Sequence, residues 1–182
     1  MSTPVDPARQ ALDRAEEQAW TGPGPRVIAV DGPSGSGKST LARRIAALAG
    51  APVVHMDDLY DGWAGLETGV VNLVEGILEP LSRGGEGSAP RYDWAAGRYA
   101  ASVDVPVPSL LVVEGVGSGA RACTPYLTLL VWMEADPDDR LSRAVDRDGE
   151  ETRDRLVVWR DLEARHHAAE GTRGRADLRV TT

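Results

Sequence analysis

The sequence lacks the features of secreted and membrane proteins. Only one of its 182 residues, Cys123, is a cysteine, which excludes an intramolecular disulfide and suits a reducing compartment. No apolar run approaches the roughly 18 residues that a membrane span needs, and the acidic N-terminal segment lacks the apolar stretch of a signal peptide. We therefore expect a cytoplasmic protein without a membrane partner.

Basic charge is scarce, and two residue types are nearly or wholly missing. The chain has 20 Lys and Arg against 28 Asp and Glu, with a formal net charge of −8, which argues against a general nucleic-acid binder. Lys38 is the one lysine. A compact ammonium differs from a planar guanidinium, so the surviving lysine points to a site that requires lysine, with chance in an arginine-rich composition as the alternative. Phenylalanine is absent, so Tyr and Trp must supply core aromatics and any aromatic binding site.

Apolar runs alternate with helical patterns along the chain. Strands are predicted at 27–30, 53–56, 110–113, 127–133 and 177–181, and helices at 8–20, 39–49, 70–81, 136–148 and 152–169. Residues 82–90 have the composition of a flexible loop. This alternation predicts an α/β fold of three layers, in which a mostly parallel five-stranded sheet carries helices on both faces. Breaker residues before position 26 divide the chain into an N-terminal helical appendage with its linker, 1–25, and a main domain, 26–182.

Residues 32–39 form the most specific motif. They read Gly-Pro-Ser-Gly-Ser-Gly-Lys-Ser and fit G-x-x-x-x-G-K-[ST] between a predicted strand and a predicted helix. Glycines let backbone N–H groups turn inward around a phosphate, and the helix points its positive end at the same anion. Such a loop predicts a P-loop NTPase fold that binds a nucleoside triphosphate and Mg²⁺. Its candidate ligands are Gly32, Ser34, Gly35, Ser36, Gly37, Lys38, Ser39 and Thr40.

The motifs from residue 27 onward resemble the uridine kinase-like branch of the phosphate-loop kinases, which is related to nucleoside monophosphate kinases. The resemblance rests on VIAVDGPSGSGKSTLA at 27–42, HMDDLY at 55–60, YDW at 92–94 with Arg98, LLVVEG at 110–115, the arginine-rich segment 136–148, and RAD at 175–177. It implies ATP- and Mg²⁺-dependent transfer of the γ-phosphoryl group to a hydroxyl of a small acceptor, a nucleoside above others. The family's histidine after its Tyr-Asp-Phe stretch has no counterpart, because residues 95–97 are Ala-Ala-Gly.

Three predicted strands end in acidic residues, and the resemblance gives two of them roles. Asp57 is the candidate base for the acceptor hydroxyl, with Asp58 as an open alternative because spacing does not separate neighbours. Ser39, Asp57 and Glu114 are the candidate Mg²⁺ residues, Glu114 acting through water, and Asp31 is a weaker candidate for the same shell.

A helix face rich in arginine predicts a lid. Positions i, i+3 and i+7 of the helix at 136–148 lie within about 60° of one another, and arginines there could stabilise the transferring phosphoryl group. The alternative is a solvated surface with ordinary ion pairs from Asp136 and Asp139. The three positions are Arg140, Arg143 and Arg147.

The acceptor site is expected around a group of aromatic residues. Its candidates are Asp57, Tyr60, Trp63, Tyr92, Trp94 and Arg98, with core packing as the alternative for each aromatic side chain. Trp132 and Trp159 are predicted to be structural.

Arg175 and the adjacent histidines lie near the C-terminus. The resemblance places Arg175 on the adenine side of the nucleotide. His166 and His167 point about 100° apart on a helix, so we expect a solvated face in preference to a metal site.

Two rival functions stay open from sequence. A kinase of a nucleoside monophosphate or another small metabolite would need basic groups for its acceptor, and Arg83, Arg91 and Arg98 are available. A nucleotide-binding regulatory module without appreciable transfer is the rival from another class. A homo-oligomer is also left open.

Overall fold

The structure is a computed structural model, and it describes residues 6–182 apart from the side chain of Arg147. Its strands are β1 (Arg26–Asp31), β2 (Val53–His55), β3 (Gly87–Asp93), β4 (Arg98–Val105), β5 (Leu110–Glu114), β6 (Leu129–Glu134) and β7 (Leu178–Thr181). Its helices are α1 (Pro7–Glu17), α2 (Lys38–Ala49), α3 (Leu66–Leu73), α4 (Glu79–Ser82), α5 (Pro137–Asp148), α6 (Arg153–Glu170) and α7 (Thr172–Arg175).

Five strands form one parallel sheet, in the order β2-β5-β1-β6-β7. The central strands are buried along nearly their whole length, which is why they read as unbroken apolar runs. The predicted three-layer α/β fold with a five-stranded parallel sheet is confirmed. Because all five strands point the same way, their carboxyl ends share one edge, and the loops at that edge hold the site described below.

Helices cover both faces of the sheet. One apolar cluster contains α1 and α2, and a larger one contains α3, α4 and the segment after β2. Helix α3 begins at Leu66 and not near residue 70, because Leu66, Val70 and Leu73 form one buried stripe at helical spacing. A π-helical turn, Val74–Leu78, joins α3 to α4.

Helix α1, which we predicted as part of an appendage, packs into the main core. Its residues Ala8, Ala11 and Ala15 are completely buried in the cluster that contains α2. Small alanine side chains at this spacing let the two helices approach closely. Asp6 caps α1 by accepting from the amide of Ala8, and it also forms an ion pair with Arg44 of α2 at 2.8 Å. None of the helices among residues 6–182 is both long enough and apolar enough to span a membrane.

The prediction of a flexible loop over 82–90 is wrong in its second half. Residues from Gly87 onward form β3, which pairs with β4 in an antiparallel hairpin. Ala89 and Val105 of the hairpin are buried in the larger apolar cluster, so tertiary packing outweighs a composition rich in Gly, Ser and Pro. Trp94, in the turn of the hairpin, lines the cavity described below.

Candidate active site

The phosphate loop, residues 32–39, connects β1 to α2 at the carboxyl edge of the sheet. Gly32, Gly35 and Gly37 all have positive φ. A Cβ on Gly32 would lie 2.3 Å from the carbonyl oxygen of Met133, and one on Gly35 would lie 2.2 Å from that of Arg140. The loop therefore requires glycine for both its conformation and its close packing.

Polar groups of the loop are arranged to hold an anion. Lys38 is 9% exposed and its Nζ donates to the carbonyl of Pro33 at 2.9 Å, across the loop. The Ser36 hydroxyl is buried without a hydrogen-bond partner among the described atoms, and an unsatisfied buried hydroxyl suits a site for a phosphate oxygen. Thr40 is exposed on the first turn of α2. These residues fit the triphosphate that the motif predicts.

Ser39 and Glu114 lie together beside the loop, where the motif places Mg²⁺. Burial alone would raise the pKa of Glu114. The hydrogen bond from His55, the charge of Lys38 and the Ser39 hydroxyl together lower it by more, so the pKa lies below the ordinary value. A carboxylate and a serine hydroxyl are suitable oxygen ligands for Mg²⁺ together with water and phosphate. The described residues contain no cluster of three or more His, Cys, Asp or Glu side chains that could hold a metal alone.

Sequence reasoning missed His55. Its Nδ1 lies 2.6 Å from Oε1 of Glu114, and the hydrogen bond to Glu114 raises the pKa of His55 against the opposing effect of burial. The two residues are register partners on β2 and β5. Strand pairing, which the sequence pattern does not specify, is the signal that would have found it.

A cavity of about 360 Å³ opens beside the phosphate loop, and we call it the acceptor cavity. Its lining residues are Ser34, Asp57, Asp58, Tyr60, Trp63, Trp94, Asp148, Leu156 and Trp159. Ser34 belongs to the phosphate loop as well, so the cavity and the loop share a wall. Both candidate bases line this cavity, in the 3₁₀ turn Met56–Asp58 that follows β2.

The hairpin holds the two aspartates in place. Trp94 Nε1 donates to the carbonyl of Asp57 at 2.9 Å, and Arg91 Nε donates to Oδ1 of Asp58 at 3.0 Å. Tyr99 donates its hydroxyl to the carbonyl of Leu59 at 3.1 Å. These contacts fix the segment after β2 from outside, which positions Asp57 and Asp58 at the cavity.

Aromatic rings pack against one another along the cavity. Tyr60 is buried and donates to the carbonyl of Val116 at 2.8 Å, and burial raises its pKa well above the ordinary value. Trp63 contacts Trp94 edge-on at 5.4 Å between ring centroids, and Tyr92 supports Trp94 from behind at 5.2 Å. Tyr92 therefore acts through Trp94, since it does not line the acceptor cavity itself.

Trp159 and Arg98 complete this region. Trp159 of α6 is buried in the larger apolar cluster, as predicted for a structural residue, and it also lines the cavity and packs on Tyr60 at 5.0 Å. Arg98 lies at the exposed start of β4, pairs in register with Asp93, and does not line the cavity.

The predicted arginine lid is only partly assembled at the loop. Arg140 is mostly buried beside it, 3.6 Å from Oε1 of Glu163, and burial lowers its pKa. Arg143 contacts Asp139 at 3.5 Å and the hydroxyl of Thr182 at 3.3 Å, and that hydroxyl donates to the carbonyl of Ser36 in the loop at 3.3 Å. The side chain of Arg147 lies outside the described part of the chain.

Arg175 has contacts of a structural kind. Its guanidinium donates to the carbonyls of Glu170 and Gly119 and to the hydroxyl of Thr124. These bonds tie the end of α6 to the loop after β5, and the adenine-side role of Arg175 stays a prediction.

The prediction of a solvated histidine face is wrong. His166 is 5% exposed and pairs with Glu67, while His167 Nε2 lies 3.0 Å from Oδ1 of Asp31. Asp31 is fully buried and also accepts from the amides of Gly32, Gly117 and Gly119. Its carboxylate thus joins β1 to the loop after β5, and its weaker candidacy for the Mg²⁺ shell stays a prediction.

Together the loop, the parallel sheet and the adjacent cavity define the fold of the phosphate-loop kinases. A protein described as a possible uridine kinase from Bacillus stearothermophilus has the same fold, with a TM-score of 0.63 at 20% identity over 93% of this chain and 98% of that one. An inferred fructose transport system kinase from Silicibacter sp. TM1040 gives a TM-score of 0.66 at 24% identity over 97% and 99% of the two chains.

Sequence similarity to curated proteins is more local. The chain is 38% identical over 72 residues to a cytidylate kinase from Thermus thermophilus. This match spans 34% of the chain and about a third, 35%, of the relative. No protein-family model matches the chain.

Proposed function

We propose that the protein is a small-molecule kinase that transfers the γ-phosphoryl group of ATP, with Mg²⁺, to a hydroxyl of a small acceptor. The observation that carries this proposal is the shared wall between the phosphate loop and a cavity lined by carboxylates and aromatic rings. Phosphoryl transfer needs positioning and charge neutralisation more than covalent chemistry from the protein. A loop for the donor directly beside a cavity for the acceptor supplies that positioning.

Each step has a candidate residue in this arrangement. Lys38 and the loop amides hold the phosphates, and Ser39 and Glu114 hold the metal ion, which neutralises phosphate charge when bound. The acceptor oxygen forms a bond to the γ-phosphorus as the bond to the β-phosphate oxygen breaks. The hydroxyl proton passes to the carboxylate of Asp57, or of Asp58 in the alternative. The family resemblance implies Asp57 as the base, and Asp58, the alternative, pairs with Arg91 of the hairpin.

The lining of the cavity supports an acceptor without a phosphate, such as a nucleoside. Its described lining residues include three aspartates and no lysine or arginine, whereas a monophosphate would require basic partners. Two of the arginines that kept the alternative open have acidic partners: Arg83 pairs with Glu79 and Arg91 with Asp58. The local similarity to a cytidylate kinase makes a nucleoside monophosphate the second candidate.

A screen of ADP release across nucleosides, nucleoside monophosphates, sugars and other phosphorylatable metabolites tests the proposal. We expect a nucleoside to stimulate release most strongly. If no acceptor raises release above slow hydrolysis, the protein is a nucleotide-binding regulatory module and the proposal fails.

Two variants separate binding from transfer. Asp57→Asn should remove most turnover while the ATP-induced rise in melting temperature persists, because the base is lost and the loop is intact. Lys38→Met should abolish that rise, because the loop loses its cation. Unchanged turnover in the first variant, or an undiminished thermal shift in the second, would contradict these roles.

A further inference from the structure

An acidic side chain already occupies part of the phosphate loop. Glu163 of α6 is 2% exposed, and its Oε2 accepts from the backbone amide of Ser34 at 2.9 Å and from the Ser34 hydroxyl at 2.8 Å. Trp159 Nε1, one turn earlier on α6, donates to the same hydroxyl at 3.0 Å. A loop whose amides are arranged for an anion thus has one of them bound to a carboxylate of its own chain.

The same carboxylate holds the arginine nearest to the loop. Nη1 of Arg140 lies 3.6 Å from Oε1 of Glu163, and Nε of Arg140 is buried without a hydrogen-bond partner among the described atoms. The two residues line a second cavity of about 310 Å³ together with Pro33 of the loop. Arg140 is therefore only partly satisfied, and it adjoins the place where phosphate oxygens would bind.

We propose that Glu163 sets the nucleotide affinity of the protein: a phosphate oxygen displaces its carboxylate from Ser34, and Arg140 passes from Glu163 to the phosphates. The Ser34 amide has a single hydrogen to donate, and two anions at one donor repel strongly where water is excluded. An arginine released from its carboxylate can make bidentate bonds to phosphate. This inference depends on the proposed function only in that the loop must bind a nucleoside triphosphate.

Glu163→Gln tests the idea, because it removes the charge while its amide oxygen can still accept from both Ser34 donors. We expect ATP, measured by calorimetric titration, to bind about tenfold more tightly, which corresponds to about 1.4 kcal/mol. Arg140→Ala added to this variant should abolish the gain. The matched control is Glu170→Gln on the same helix, whose carboxylate accepts from the amide of Arg121 outside the loop; its ATP affinity should not change.

Unchanged or weaker ATP binding by Glu163→Gln would overturn the proposal and show that Glu163 only supports the loop. If this variant does not fold, Glu163→Ala provides the second test, because it removes the competing carboxylate and leaves both Ser34 donors in place. We expect ATP to bind a few-fold more tightly to it, and weaker binding would overturn the proposal. Failure of the proposed function would differ, since unmodified protein would then bind ATP no better than Lys38→Met or would transfer to no acceptor.

Discussion

Replacing Asp31 by asparagine should destabilise the protein by about 2–4 kcal/mol. Its Oδ2 accepts from Gly117 and Gly119, and its Oδ1 accepts from Gly32 and contacts His167. Asparagine has one acceptor oxygen, so serving the Gly117 and Gly119 amides turns its NH₂ toward Gly32. One buried amide without an acceptor costs about 1–3 kcal/mol, and loss of the charge beside His167 adds about 1 kcal/mol.

Urea denaturation at several pH values measures this cost. Burial alone would raise the pKa of Asp31. His167 and the amides of Gly119 and Gly32 together lower it by more, so the pKa lies below the ordinary value. A lowered folded-state pKa stabilises the protein above the unfolded value near 4, and this contribution is lost as the pH falls through the folded value. The difference between the two proteins should therefore be largest near neutral pH and shrink in acid.

The control for this experiment is Asp177→Asn. Asp177 accepts only from Leu130 among the hydrogen bonds described for its side chain, at 2.8 Å, and asparagine can keep that bond, so we expect a loss below about 1 kcal/mol. A loss for Asp31→Asn no larger than that of the control, or one independent of pH, would refute the reasoning.

Two further predictions concern the loop and the cavity. Gly35→Ala should abolish ATP binding, because φ is +78° and the new Cβ would meet the Arg140 carbonyl oxygen at 2.2 Å. The control is Gly97→Ala, where φ is +66° but nothing lies within 4 Å of the new Cβ, and it should cost only about 1–2 kcal/mol of stability. A normal ATP-induced thermal shift in Gly35→Ala would contradict the prediction for the loop. Trp94→Ala should raise the acceptor KM about tenfold with the KM for ATP unchanged, because stacking and the bond to Asp57 are lost. Trp94→Phe should recover part of the loss, and an equal rise of both KM values would argue against a role in acceptor binding.

Much of the fold was predictable because its signals are local. A buried strand needs a short apolar run, and the phosphate loop needs glycines at fixed spacing before a lysine, so both are readable within about ten residues. The same logic placed Asp57 and Glu114 at one edge, since parallel strands bring their carboxyl ends together. The hairpin escaped prediction because its composition favours a loop, while its strand pairing and the packing of Ala89 and Val105 into the core stabilise it.

The sequence by itself determined the parallel sheet, the phosphate loop and the acidic strand ends, because each follows from a short pattern and elementary chain geometry. The tertiary structure alone decided which distant groups serve them. Glu163 reaches Ser34 across 129 positions, His167 reaches Asp31 across 136, and His55 reaches Glu114 across 59. Such contacts depend on how helices and strands are packed and registered, and no local pattern specifies either.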